Sequence, residues 1–274
     1  DLELYKDFSW VDQHFVEFNS LGGKYYDYIS WRRDDFKGET INIINGNRVT
    51  SEPINNTKNE SHYWFFGGST TWGTGVTDDL TYPSVFAMQN NSPSINFGES
   101  GYISRQELAL LQNIIIEKKT RTDKKKINIV FFDGVNDVAV RCRSEAKGIS
   151  THRESQIQSI FSSSDANLFD LSNDEKYSFR TTFMQLTDFL AELIQRVSSK
   201  AAQEQSAKMY NCDSDINRAD EIAKTLIETW RQADKIATSN NMNFVAILQP
   251  VAYFENPKIE YLGLNSKIDE ALSN

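Results

Sequence analysis

The sequence predicts an α/β protein, a three-layer α/β/α sandwich built on a central parallel sheet. Three observations predict it. Short apolar runs ("YWFF" from Tyr63, "INIVFF" from Ile127, "FVAIL" from Phe244) alternate with longer segments of helical periodicity. The run from Ile127 is apolar at consecutive positions, as expected of a strand covered on both faces. Three strand candidates also end in a glycine-bearing polar turn, and strand–helix alternation is the pattern of a parallel sheet joined by helical crossovers.

Taken in order, residues 1–60 are aromatic and short-patterned. "KYYDYISWRR" and "ETINIINGNRVTS", with a turn at Asn45-Gly46-Asn47, read as short strands of an N-terminal extension packed on the main domain. The main domain is assigned to residues 61–274. "YWFFGG" is a buried strand stopped by glycine, and Tyr82–Asn90 is a short helix with proline in its first turn. "SINFGESG" is a second strand running into a glycine turn. Ser104 opens a helix with Glu107 three residues on, the pattern of a capping box, and Leu108, Leu111, Ile114 and Ile115 mark its apolar face. "INIVFFDG" is the third strand. Residues 141–175 lack periodicity and read as an insertion. Helices are expected over about 177–199 and 216–239, followed by a buried strand "NFVAILQP".

Composition narrows the function. Hydrophobic residues make up 39% of 274, a globular proportion, and the net charge of -9 argues against nucleic acid as a partner. The basic stretch Glu117–Lys126 reads as a solvated helix end and turn. No apolar run is long enough to span a bilayer. Two cysteines, Cys142 and Cys212, are too few for a disulfide scaffold or a cysteine zinc site; one bridge and two free thiols both fit them.

The chemistry is expected where the three turns gather. They are Gly67-Gly68-Ser69, then Asn96 through Gly101, then Gly134-Val135-Asn136-Asp137. In a parallel sheet, ligands bind beyond the carboxyl ends of the strands. A serine directly after a glycine-ended strand is exposed yet fixed, as a nucleophile must be. Backbone N–H groups beside glycines and an asparagine amide can stabilise a developing oxyanion. Singly, each turn is an ordinary loop or cap; their order and placement make the case.

These blocks resemble the SGNH hydrolases, also called GDSL esterases. In that family a G-D-S block carries the nucleophilic serine, matched here by Gly67-Gly68-Ser69 with glycine in place of aspartate. A second block has an asparagine and, five positions on, a glycine whose N–H enters the oxyanion hole, matched by Asn96 and Gly101. The third, G-x-N-D, is matched by Gly134 to Asp137 and supplies Asn136. The resemblance spans roughly Trp64 to Val138. It implies the flavodoxin-like fold of the family and a site of Ser69, Gly101 and Asn136. No metal or organic cofactor is implied.

The family's D-x-x-H block has no match. His14, His62 and His152 each lack an aspartate three residues before them, and all three read as packing or surface residues. The histidine base and its aspartate are therefore expected beyond Asn274, on a C-terminal segment missing from this chain. The leading reading is a serine esterase acting on a carbohydrate or small ester, acetyl groups included. An O-acetyltransferase could use the same site, and a non-catalytic binding domain that has lost the histidine is the reading from another class. A flavodoxin-like nucleotide binder lacks its phosphate loop. Trp72 and Tyr102 could stack on a sugar ring, although packing is the commoner role of such aromatics. The start without methionine and the cysteine pair favour an exported or membrane-anchored, extracytoplasmic bacterial protein.

Overall fold

The computed structural model describes residues 5–54, 61–117, 126–143, 212 and 214–250. The N-terminal segment opens with helix α1 (Val11–Ser20), whose inner face buries His14, Glu17 and Phe18. A hairpin of β1 (Gly23–Tyr26) and β2 (Ser30–Arg33) forms a separate two-stranded sheet. Three short strands follow: β3 (Phe36–Lys37), β4 (Asn42–Ile44) and β5 (Asn47–Arg48), the last two joined by the two-residue Asn45-Gly46 turn.

The alternating part supplies β6 (Ser61–Gly67), α2 (Ser69–Trp72), α3 (Tyr82–Asn90), β7 (Ser94–Asn96), α4 (Ser104–Glu117), β8 (Lys126–Asp133), α5 (Val135–Arg141), α6 (Ile216–Ser239) and β9 (Asn243–Leu248). One seven-stranded sheet runs in the order β3-β4-β5-β7-β6-β8-β9. The four strands from β7 to β9 are parallel, while β3, β4 and β5 extend the sheet antiparallel beyond β7. The N-terminal strands thus belong to the main sheet itself. The parallel part has strand order 2-1-3-4, so the chain reverses direction between β6 and β8, where the carboxyl ends leave a crevice.

Period-two alternation along β6 sorts its side chains onto the two faces. Trp64 and Phe66, with Ile129 and Phe131 of β8, bury against Leu110, Leu111 and Ile114 of α4 and against Ala233 and Ala237 of α6. Phe66, Ile129 and Phe131 are fully buried, each stabilising the fold by about 1.5–3 kcal/mol. Tyr63 and Phe65 face the other way and pack on α3 through Phe86 and Tyr82, with ring centroids 4.6–5.3 Å apart. Helices on both sides of the sheet make the α/β sandwich.

Two expectations are corrected. The strand β9 is not buried: it is the last strand of the sheet, with α6 on one face. Val245 and Ile247 on the other face are 47% and 41% exposed. The capping box at Ser104 also does not form. Ser104 bonds Asp137 through its N–H (3.1 Å) and hydroxyl (2.7 Å), which leaves Glu107 buried and facing the sheet. The expected helix at 177–199 and the insertion, apart from residues 141–143, lie outside the described residues.

Cys142 and Cys212 are joined in a disulfide across a sequence separation of 70 residues. A bridge closing so long a loop stabilises chiefly by restricting the unfolded chain, by roughly 4 kcal/mol. Urea unfolding with and without dithiothreitol checks this: reduction is expected to lower stability by up to that amount, and identical midpoints would show that the bridge contributes nothing.

Candidate active site

The three glycine turns lie at the carboxyl ends of adjacent parallel strands: β6 leads to Ser69, β7 to Gly101 and β8 to Asn136. Backbone bonds tie them together. The Glu99 N–H donates to the Gly67 carbonyl at 3.0 Å, and the Phe97 N–H to Phe65 at 2.8 Å. Asn96 holds the far end of the Ser69 turn, donating from Nδ2 to the Thr71 carbonyl at 2.8 Å while its Oδ1 accepts from the Gly98 N–H at 3.0 Å.

Asn136 joins the first and third turns to the second. Its Nδ2 donates to the carbonyl of Tyr102, the residue after Gly101, at 2.8 Å. The same amide lies so close to Gly68 that a Cβ there would sit 2.2 Å from Nδ2. This accounts physically for the glycine at this position: the amide occupies the space a side chain at 68 would need. Gly101 takes φ +78°, a left-handed conformation suited to glycine. Asn136 has two amide hydrogens and spends one on Tyr102. Among the described residues, neither the Ser69 N–H nor the Gly101 N–H has a hydrogen-bond partner.

Beside Ser69 opens a cavity of about 330 Å³, lined by Thr70, Thr74, Val76, Leu80 and Tyr82 among others. Its other hydroxyls are already engaged. Thr70 accepts from Gln249 at 2.9 Å, Thr74 pairs with Ser100 at 3.3 Å, Thr81 donates to the Asp78 carbonyl at 3.0 Å, and Tyr82 pairs with Thr71 at 2.9 Å. Among the described residues, the Ser69 hydroxyl has no partner.

The loop behind Ser69 is held from the N-terminal segment. Arg48, 1% exposed, donates to the carbonyls of Gly73 (2.8 Å) and Val76 (2.6 Å) and pairs with Asp78 at 2.8 Å. Its guanidinium stacks 4.3 Å from the Trp72 ring, and Arg33, paired with Glu99, stacks 4.2 Å from it. Trp72 and Tyr102 are both 1% exposed, so neither can stack on a sugar. Their role is packing.

The described histidines stand apart from Ser69. His62 lies at the opposite, amino-terminal end of β6. His14 is fully buried, with Nδ1 3.2 Å from the Thr40 hydroxyl. Burial, reinforced by nearby Arg48, pulls its pKa down to about 4 and keeps it neutral at physiological pH. His152 lies outside the described residues.

Beneath the Asn136 turn is a feature the sequence reading did not anticipate, a buried cluster of Glu107, Asp133 and Asp137. Asp133, the last residue of β8, accepts from the Trp230 indole at 3.0 Å, and Asp137 accepts from Ser104. Glu107 has no donor on either oxygen. Burial raises its pKa and the Asp133 charge raises it further, so Glu107 holds its proton above the ordinary carboxylate range. Among the described residues, no group of three His, Cys, Asp or Glu is arranged to hold a metal ion.

No known family profile matches the chain, and neither does any curated protein. Among solved structures, the chain is similar to a member of the lipolytic protein G-D-S-L family from Veillonella parvula DSM 2008. Identity is 15% over 78% of this chain and 94% of that one, with a TM-score of 0.30. A lipolytic protein of the G-D-S-L family from Desulfitobacterium hafniense DCB-2 is similar at 10% identity over 77% and 95% of the two chains, TM-score 0.28. The class that fold and strand order define is an α/β sandwich with its crevice at the β6–β8 reversal.

The carboxyl pair makes stability depend on pH. Its folded-state pKa is raised above the ordinary carboxylate value near 4, so the folded state binds more protons than the unfolded one. The pair's contribution to stability is therefore fullest in acid and is lost as pH rises above that value. Glu107→Gln keeps the size of the side chain and removes its ionisation. Urea unfolding between pH 5 and 9 should show a decline in the parent protein that the variant flattens; parallel curves would refute the raised Glu107 pKa.

Proposed function

We propose that this protein is a serine esterase of the SGNH type, removing short acyl groups, acetyl first among them, from a carbohydrate or other small ester. The observation that carries the reading is that Ser69 offers the one unengaged hydroxyl among those lining its cavity, beside two unpaired N–H groups and a half-used amide. Ser69 Oγ attacks the ester carbonyl and gives its proton to a histidine base. The Ser69 and Gly101 N–H groups and the second Asn136 Nδ2 hydrogen receive the oxyanion. Collapse releases the alcohol, which takes up the proton, and water then cleaves the acyl-enzyme. A sugar hydroxyl in place of water makes the same site an O-acetyltransferase. The cavity walls of threonine methyls, Val76 and Leu80 suit a short acyl chain.

Neither His14 nor His62 is placed to serve as the base, so it is to be sought outside the described residues, beginning with His152. The same reading puts the protein in an oxidising, extracytoplasmic compartment, which the Cys142–Cys212 bridge supports.

Hydrolysis of p-nitrophenyl acetate tests the proposal. Ser69→Ala is expected to abolish turnover, and Asn136→Ala to lower kcat by about 10²–10³ as an oxyanion donor is lost. Turnover indifferent to Ser69→Ala would defeat the assignment. A well-folded protein with no turnover at all would favour the binding-domain reading.

A further inference from the structure

We propose that the β1–β2 hairpin carries a second, non-catalytic site that binds a polysaccharide chain. It is a cavity of about 360 Å³ lined by Tyr25, Tyr26, Asp27, Tyr28, Asn113, Ile116 and Glu117. The proposal rests on the carbohydrate part of the reading above and assigns a docking site that Ser69 does not touch.

The chemistry of the lining points to a sugar. An aromatic face presents negative charge density to the C–H face of a pyranose, and three tyrosines border one cavity here. The carboxylates of Asp27 and Glu117 and the amide of Asn113 are planar groups that accept from or donate to neighbouring hydroxyls. Among the described residues, no cationic side chain lines the cavity. The volume lies at the lower end for small-ligand sites, the size of a short stretch of sugar units.

Backbone conformation gives an independent indication. Tyr28 occupies the third position of a turn closed by the Ile29 N–H on the Tyr26 carbonyl at 3.2 Å, and it has φ 63°. Ser30, two residues on, also has positive φ, at 90°. Glycine or asparagine is favoured at such a turn position, and a bulky residue held there marks strain of the kind that collects at binding sites. Tyr28 gains no packing in return, being 88% exposed; Tyr25 is 67% exposed. A large ring held in a strained conformation and pointed at solvent is explained if it has a ligand.

The platform is rigidly mounted. Ile29 and Trp31 are buried in the main core. Gln106 of α4 donates to the Ile29 carbonyl at 2.8 Å, Asn113 donates to the Asp27 carbonyl at 3.4 Å, and the Tyr26 hydroxyl reaches Glu117 at 3.5 Å. The cavity sits on the last turns of α4, whose first residue, Ser104, bonds Asp137 beside the Asn136 turn. The 14 residues of α4 put roughly 20 Å between the two ends, so only a polymer could occupy both sites at once.

Calorimetric titration of the full chain with cellohexaose, xylohexaose and chitohexaose tests the proposal. At least one hexasaccharide should bind, and Tyr28→Gly and Tyr25→Ala should each weaken it at least tenfold. Ser69→Ala should bind as the parent does. Tyr28→Gly removes the ring while relieving the strained turn, so its Tm should hold within a few degrees and lost affinity cannot be blamed on misfolding. Binding of none of the three sugars would overturn the proposal, as would binding unchanged by Tyr28→Gly or lost in Ser69→Ala. Tetramethylammonium bound in their place would make the cavity a cation cage and also overturn it. Tyr28-dependent sugar binding without any ester hydrolysis would sink the esterase reading alone and leave this one standing.

Discussion

The buried guanidinium of Arg48 is the interaction on which the Ser69 turn depends. The chain leaves α2 through Trp72 and Gly73 with carbonyls pointing inward, where water cannot satisfy them. Arg48 supplies donors to Gly73, Val76 and, more distantly, Trp72 and Thr40, and its charge is balanced by Asp78. Removing one member of such a buried pair typically costs 3–5 kcal/mol, because the other charge is left without compensation. The Trp72 indole lies between Arg48 and Arg33, and Arg33 in turn pairs with Glu99 of the second turn. One cationic sandwich thus fixes both the loop behind Ser69 and the turn that leads to Gly101.

The N-terminal segment is for that reason part of the site's scaffold. Arg33 comes from β2 and Arg48 from β5, while Glu17 of α1 organises the loop between them. Burial alone would raise the Glu17 pKa, but donors from Gln13, Thr40 and the backbone of Glu39 and Thr40 hold it down to about 2. From the opposite side, β9 reaches the same place: the Gln249 N–H donates to the Asp133 carbonyl at 2.7 Å, and its side chain donates to Thr70, the neighbour of Ser69. Segments some two hundred residues apart in sequence therefore converge on one serine.

How much of this was legible beforehand follows the range of the interactions. The strands β6 and β8, helices α3, α4 and α6, and the three glycine turns could be read because each is announced within its own dozen residues. Pairing was not legible in that way. The β5 strand meets β7 through Arg48 and Asn96, and a two-residue strand leaves no periodic trace. Cys142 and Cys212 were open between bridge and thiols because only the fold brings their Cα atoms to 5.2 Å. Glu107 was misread for a sharper reason. Ser-x-x-Glu is the pattern of a capping box, yet the same spacing turns Glu107 toward the sheet, and Asp137 had already taken the Ser104 donors. Trp72 and Tyr102 stand beside glycine turns in sequence, and only burial separates a packed ring from a stacking platform.

The acidic cluster beneath the Asn136 turn and the cavity above it are two consequences of one placement. Strand β8 must end beside β6 for Asn136 to reach Gly68 and Tyr102, and that end brings Asp133 and Asp137 under the helix that carries Glu107. A core optimised for stability alone would fill this position with apolar side chains, since buried carboxyls carry a desolvation cost that packing does not. Here Asp137 uses its carboxylate to fix Ser104, and Asp133 uses its own to fix Trp230 of α6. Both bonds anchor helices whose ends border the turns. The retained proton is the physical condition for keeping them: it removes one charge from the group, so that directional acceptors remain where oil-like packing could not hold an amide and two backbone N–H groups in register.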